Sequence, residues 1–186
     1  MQTPGVFPDR AQIEAAAQGD REAFRALVLG HQSDVRGLLR RLTGFEYDRA
    51  DDLAQDVFLQ VYGKISTFRF DSSFRSWLYR LTTNVFLDDL RRRRARTEYS
   101  ETEIEEDSYS SDRERQIDLS NALERAFAAL KVEERTAVTL TAVEEFTHDE
   151  AADIMGVPPG TLKSHVFRGK EQMKKILSRY GFEVAL

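Results

Sequence analysis

Thr161, Lys163, Ser164, Phe167 and Arg168 lie within eight residues of one another near the C-terminal end of a 186-residue chain. Their side chains are of the kinds that read duplex DNA. Arg pairs with guanine or phosphate, Lys with phosphate, Ser and Thr with either, and an outward aromatic ring meets thymine methyls. The setting is basic: residues 159–179 hold six Lys or Arg and one acidic residue. Wound at about 100° per residue, the stretch has two faces. Leu162, Val166, Met173 and Leu177 fall on one. Gly160, Ser164, Phe167, Arg168 and Lys175 fall on the other, with Lys163 at its flank. A solvated basic helix face would account for the charges, but it gives no reason for an outward Phe167.

The residues before this stretch are suited to aim it. Thr147-His148-Asp149-Glu150 has the form of a capping box, in which Thr147 caps the Glu150 N–H and Glu150 reaches back. Gly156 follows Met155, where a left-handed C-terminal residue costs least. Ala152 is small enough for a second helix to cross closely, and Val157 can plug the corner. Pro158-Pro159-Gly160 supplies the turn, Pro159 suits a first helical position, and the second helix is expected to begin near Thr161. Together these features specify a helix-turn-helix from Thr147 to about Ser178, with the start of its second helix entering the major groove.

A second basic block is Arg91 to Arg96, five arginines in six residues. It ends a stripe of Phe74, Trp77, Leu78, Leu81, Val85 and Phe86 that begins at the cap signal Asp71-Ser72-Ser73. Cations at a helix C-terminus are favoured by roughly 0.3–1 kcal/mol at an exposed site. The net charge of −5 argues against nucleic acid only until it is mapped. Residues 1–97 carry +3, residues 98–118 carry −7 and residues 119–186 carry −1. Local charge decides phosphate contact.

Other chemistry finds little support. The absence of cysteine excludes disulfides, thiolate metal sites and cysteine nucleophiles. His31, His148 and His165 lack metal-ligand spacing. Asp51, Asp52 and Asp56 are explained by helix amphipathicity rather than by a metal or acid–base constellation. No glycine loop for phosphate is present. The expectation is a chain without catalytic residues, metal or cofactor. The segment from Met1 to Arg10 does not read as a signal peptide, and no apolar run approaches a membrane span. These features point to the cytoplasm.

The elements that position these residues read as all-helical. Proline is scarce and apolar residues recur at three and four. Asp9 is a plausible N-cap. Phe24, Leu27, Val28, His31, Val35, Leu38, Leu39 and Leu42 form one stripe, expected to break near Gly30 and to end at Gly44. Leu53, Val57, Phe58, Val61, Tyr62 and Ile65 form another. Residues 1–97 are thus expected to be a helical bundle, 98–118 an acidic, mostly unstructured linker, and 119–186 a helical unit containing the helix-turn-helix. The two units are expected to have separate cores on a flexible tether.

Four segments in this order resemble bacterial sigma factors of the extracytoplasmic-function group, of the sigma-70 family. Phe24 to Leu42 looks like the first helix of the second sigma domain. Asp51-Asp52-Leu53-Ala54-Gln55-Asp56-Val57-Phe58 looks like the polymerase-binding helix. Phe74-Arg75-Ser76-Trp77-Leu78-Tyr79-Arg80-Leu81-Thr82-Thr83-Asn84, ending in the arginine run, looks like the promoter-melting segment. Glu150 to Lys170 looks like the helix-turn-helix of the fourth sigma domain.

The resemblance implies a division of roles. Asp52, Gln55, Asp56 and Phe58 would contact the clamp helices of the polymerase largest subunit, with the flap as a further contact. Phe68, Arg69, Phe70, Ser72 and Asn84 would capture a base flipped from the non-template strand at the minus-ten element. Trp77 belongs to the same segment, although its spacing with Phe74 and Leu81 is core spacing. Arg80, Arg91 and Arg92 would meet phosphates. Pro158, Gly160, Thr161, Lys163, Ser164, Phe167 and Arg168 would read the minus-thirty-five element. An anti-sigma partner is also implied. The sequence departs from the family pattern at His165, where Arg is most often found, at Gly169, where Ala is common, and at Lys131-Val132, which replaces the usual proline-containing corner after Leu130. A different reading of the same features is a stand-alone helix-turn-helix regulator with an N-terminal sensing bundle. The aromatic loop and the arginine run discriminate against it.

Overall fold

The structure, a computed structural model, describes residues 10–99 and 118–182. The proposed Asp9 cap and linker residues 100–117 lie outside the described residues. The described residues fold into eight α-helices: α1 (Arg10–Ala17), α2 (Arg21–Leu42), α3 (Tyr47–Lys64), α4 (Phe74–Tyr99), α5 (Leu119–Ala128), α6 (Val132–Val138), α7 (His148–Met155) and α8 (Pro159–Arg179). A wide π-type turn, Thr139–Val143, continues α6. The all-helical expectation holds. Two boundaries move: α4 reaches two residues into the segment assigned to the linker, and α8 begins at Pro159 rather than near Thr161.

The expected break near Gly30 is corrected. It lies earlier, where Gly19 takes φ +94° and the Asp20 carboxylate accepts from the Glu22 and Ala23 N–H groups to start α2. Gly30 sits inside a continuous 22-residue helix. A mid-helix glycine costs about 1 kcal/mol, which the buried stripe of Leu27, His31, Val35, Leu38, Leu39 and Leu42 outweighs. His31 is buried against Phe74, with ring centroids 5.4 Å apart. That burial lowers its proton affinity, Asp34 opposing. Gly44 (φ +72°) and Phe45 (φ +70°) reverse the chain so that α3 packs on α2, and α4 then crosses both.

In the C-terminal half α8 packs along α5 and α6 around Phe127, Leu130, Val138, Met173 and Leu177. The α6–α8 crossing is close at Gly169. A Cβ there would stand 2.6 Å from Val138 Cγ2 and 3.2 Å from the Glu134 carbonyl oxygen. Gly169→Ala is therefore expected to destabilise the chain. Overpacking costs about 1–3 kcal/mol, only partly offset by the roughly 1 kcal/mol gain in helix propensity. A thermal melt should show a midpoint lower by roughly 2–6 °C. Adding Val138→Ala, which clears the clashing methyl, should recover part of that loss; an unchanged midpoint in Gly169→Ala would show that α6 yields freely.

The expectation of separate cores is overturned. One buried apolar cluster runs from α2, α3 and α4 into Phe146, Ala151, Ile154, Leu162 and Val166 of the C-terminal half. At its polar edge Glu144, with a side chain only 12 % exposed, meets three groups of the N-terminal bundle. Its carboxylate accepts from Arg41 Nη1 at 3.2 Å, Arg75 Nη2 at 3.1 Å and the Tyr79 hydroxyl at 2.6 Å. Its carbonyl oxygen accepts from Arg75 Nη2 at 2.8 Å. The Arg75 guanidinium also lies 4.2 Å above the Phe146 ring, which meets Tyr79 edge-on. A second contact joins Tyr47 to Glu124 at 3.2 Å and Phe45 to Phe127. Sequence periodicity identified the buried faces but not this partner across the linker.

Candidate nucleic-acid interface

The helix-turn-helix forms as its residues dictate. The Thr147 hydroxyl accepts from the Glu150 N–H, and the Glu150 carboxylate accepts in return from the Thr147 N–H at 2.9 Å. The Thr147 hydroxyl and backbone hydrogen bonds hold the Glu150 carboxyl below its ordinary range. Gly156 ends α7 in the left-handed conformation (φ +66°), and Pro159 occupies the first turn of α8. Leu162, Val166, Met173 and Leu177 are buried. Pro158, Gly160, Thr161, Lys163, Ser164, Phe167 and Arg168 are exposed, Phe167 by 68 %. Ser164 donates back to the Gly160 carbonyl at 3.0 Å. Arg168 alone among these seven makes side-chain bonds to other side chains, donating from Nε to Glu134 at 3.2 Å and lying 3.1 Å through Nη2 from His165 Nδ1.

The second basic surface lies on α4. The Ser73 hydroxyl accepts from the Ser76 N–H at 3.0 Å and so caps the helix. From there Arg80, Asn84 and Asp88, one turn apart, lead to Arg91 and Arg92 along one exposed face. Asp88 pairs with Arg91. Arg69 and Ser72 are exposed in the loop before α4. Phe68 corrects the expectation of an open stacking ring. It is buried, 4.7 Å from Phe70, 5.8 Å from Phe74 and 5.3 Å from Trp77 by ring centroid. Its ring packs the loop against the bundle. Trp77 is half-buried in the same ring cluster, as its spacing with Phe74 suggested. Phe70 is half-buried, takes φ +60°, and carries Arg10 4.5 Å from its ring.

On α3, Asp52, Gln55 and Asp56 are exposed and Phe58 is half-buried. The same outer face carries two residues that sequence reasoning missed or placed inward: Leu59, 71 % exposed, and Tyr62, 61 % exposed. Leu59 lies three residues after Asp56 and four after Gln55, which is the spacing that puts them together. That spacing was the available signal. For Glu144 and Tyr79 no signal existed, since each looks ordinary in its own segment.

Among the described residues no group of His, Cys, Asp and Glu could hold a metal ion, and no helix is long and apolar enough to cross a membrane. Residues 27–96 match the family described as Sigma-70 region 2, and residues 120–173 match Sigma-70, region 4. The chain is 34 % identical over 170 residues to the ECF RNA polymerase sigma factor SigM of Mycobacterium tuberculosis, covering 91 % of this chain and 84 % of that one. It is 33 % identical to the ECF RNA polymerase sigma-E factor of Haemophilus influenzae, covering 89 % and 93 %. The fold is similar to that of the sigma factor RpoE from Bartonella quintana in complex with the anti-sigma factor NepR (TM-score 0.71, 26 % identity, 84 % and 98 % covered). It is also similar to CnrH in complex with the cytosolic domain of CnrY (TM-score 0.67, 25 % identity, 92 % and 98 % covered). The region 2 match accounts for the N-terminal bundle and disfavours a sensing bundle there.

Proposed function

The chain belongs to the extracytoplasmic-function RNA polymerase sigma factors, and on that footing we propose how its surfaces divide the work of promoter-specific initiation. The α8 face of Thr161, Lys163, Ser164, Phe167 and Arg168, with Pro158 and Gly160 at its start, reads the minus-thirty-five element in the major groove. The α4 face acts at the minus-ten element. Arg80, Arg91 and Arg92 meet phosphates, and Asn84, with Arg69, Ser72 and the accessible edges of Phe70 and Trp77, receives an unstacked base. The α3 face of Asp52, Gln55 and Asp56, flanked by Phe58, docks on the clamp helices of core polymerase. The chemistry of RNA synthesis belongs to polymerase, and the chain works in the cytoplasm with it. An anti-sigma protein is the expected regulator.

The observation that carries this reading is the exposed ring of Phe167 beside Arg168 on a helix whose other face is fully used by the core. The experiment is reconstitution of the full chain with core polymerase on promoter-containing DNA. Promoter-specific transcripts are expected, and their absence together with no binding to core would end the reading. Asn84 is exposed on α4 and is not part of the buried core. Asn84→Ala should therefore lower open-complex formation, followed by permanganate reactivity of unpaired thymines, about tenfold or more. Closed-complex affinity should hold within about twofold. Equal losses in both would remove Asn84 from the base-capture surface.

A further inference from the structure

Two of the positions at which the sequence departs from the family pattern meet at one arginine. Gly169 lets α6 approach α8 closely, because any Cβ there would strike Val138 and the Glu134 backbone. That approach brings the Glu134 carboxylate, whose side chain is only 11 % exposed, to Arg168 Nε at 3.2 Å. One turn back on α8, His165 places Nδ1 3.1 Å from Arg168 Nη2. A guanidinium only donates, so this contact uses the lone pair of Nδ1. An arginine at 165 would instead set a like charge beside Arg168.

These two contacts occupy the side edge of the guanidinium, formed by Nε and Nη2. The end edge, with one N–H on each Nη, is left for a bidentate acceptor. Guanine presents such a pair in the major groove through O6 and N7. We propose that Glu134 and His165 are positioning residues that hold Arg168 by its side edge and so fix a guanine preference at one promoter position. The inference rests on the reading of α8 as the minus-thirty-five helix. A buried carboxylate fixes the planar group without blocking its outer edge, and the fork is then set before DNA arrives.

The test is selection of a duplex library, randomised across the upstream element, by holoenzyme made from full chain and core polymerase. Wild-type selections should show one column dominated by guanine, and Arg168→Ala should flatten that column. Glu134→Ala should weaken the guanine preference in the same column about tenfold, within the range a bidentate Arg–guanine pair supplies, and leave the others within twofold. Glu134→Gln keeps an oxygen for Nε and should recover part of it. His165→Ala, a change at a partly exposed site, should weaken it severalfold and carries the test if Glu134→Ala does not fold. On the Arg168→Ala background neither change should alter that column further. If Arg168→Ala flattens a column that Glu134→Ala and His165→Ala leave intact, the positioning inference fails alone. It also fails alone if those two variants weaken all columns equally, or strengthen binding, the latter marking Glu134 as a competitor of DNA. If Arg168→Ala alters no column, the reading of Arg168 and the inference fall together.

Discussion

Glu144→Ala should release the C-terminal helices from the N-terminal bundle. The carboxylate it removes accepts three hydrogen bonds from two arginines and a tyrosine on the far side of the linker. Removing one partner of a buried ion pair costs roughly 3–5 kcal/mol. The side chains of Arg41 and Arg75 are 29 % and 24 % exposed, so partial hydration moves the cost toward the lower end. About 3 kcal/mol shifts an open-to-closed ratio by roughly 150-fold. The chain has no cysteine, so Lys64→Cys and Lys175→Cys would place one dye on each half without background labelling. Energy transfer between them should fall in Glu144→Ala and fall less in Glu144→Gln. Unchanged transfer would mean that the shared apolar cluster, with the Tyr47–Glu124 and Phe45–Phe127 contacts, holds the halves together without this carboxylate. Tyr79 adds a pH term. Burial, reinforced by the Glu144 carboxylate, pushes its hydroxyl far above the ordinary phenol range. Its folded pKa is raised, so its contribution is complete below the unfolded value and is lost only as pH climbs through and beyond that range.

Much of the site was legible because its residues act locally. The capping box, the Gly156 cap and the two faces of α8 depend on neighbours within one or two turns, and the structure places them as the spacing requires. What was not legible depends on partners far along the chain. Glu144 sits in the polar run Glu144-Glu145, which reads as solvated, yet its partners lie 65 to 103 residues away. Phe68 and Phe70 share an aromatic loop, and spacing alone gives them the same role. Only the ring cluster with Phe74 and Trp77 separates the buried one from its half-buried neighbour. Glycine propensity at Gly30 is a local effect, while the apolar stripe that holds α2 straight through it is a tertiary one. The departures at His165 and Gly169 were visible as departures. Their common relation to Arg168 needed α6, which sequence spacing does not bring near α8.

The missed residue with the largest expected effect is Leu59. Leu59→Asp should weaken binding of core polymerase by tenfold or more while leaving the thermal midpoint within about 2 °C. The side chain is 71 % exposed, so its replacement removes little from the fold, and surface changes of this kind usually stay within about 0.5 kcal/mol. In a complex the same side chain would be buried between Gln55, Asp56 and Tyr62 on one helix face. Burying a leucine is worth roughly 1.5–3 kcal/mol, and a desolvated, unpaired aspartate in its place adds a penalty of several kcal/mol. Asp52→Ala and Asp56→Ala act differently. Exposed charges at the margin of an interface govern encounter, so these variants should slow association and reduce its salt dependence. Leu59→Asp should act mainly on dissociation. Surface plasmon resonance of the full chain on immobilised core polymerase, run at two salt concentrations, separates the two effects. Equal affinity of Leu59→Asp and wild type would place the polymerase contact on another face of the bundle and leave Leu59 as an isolated exposed leucine.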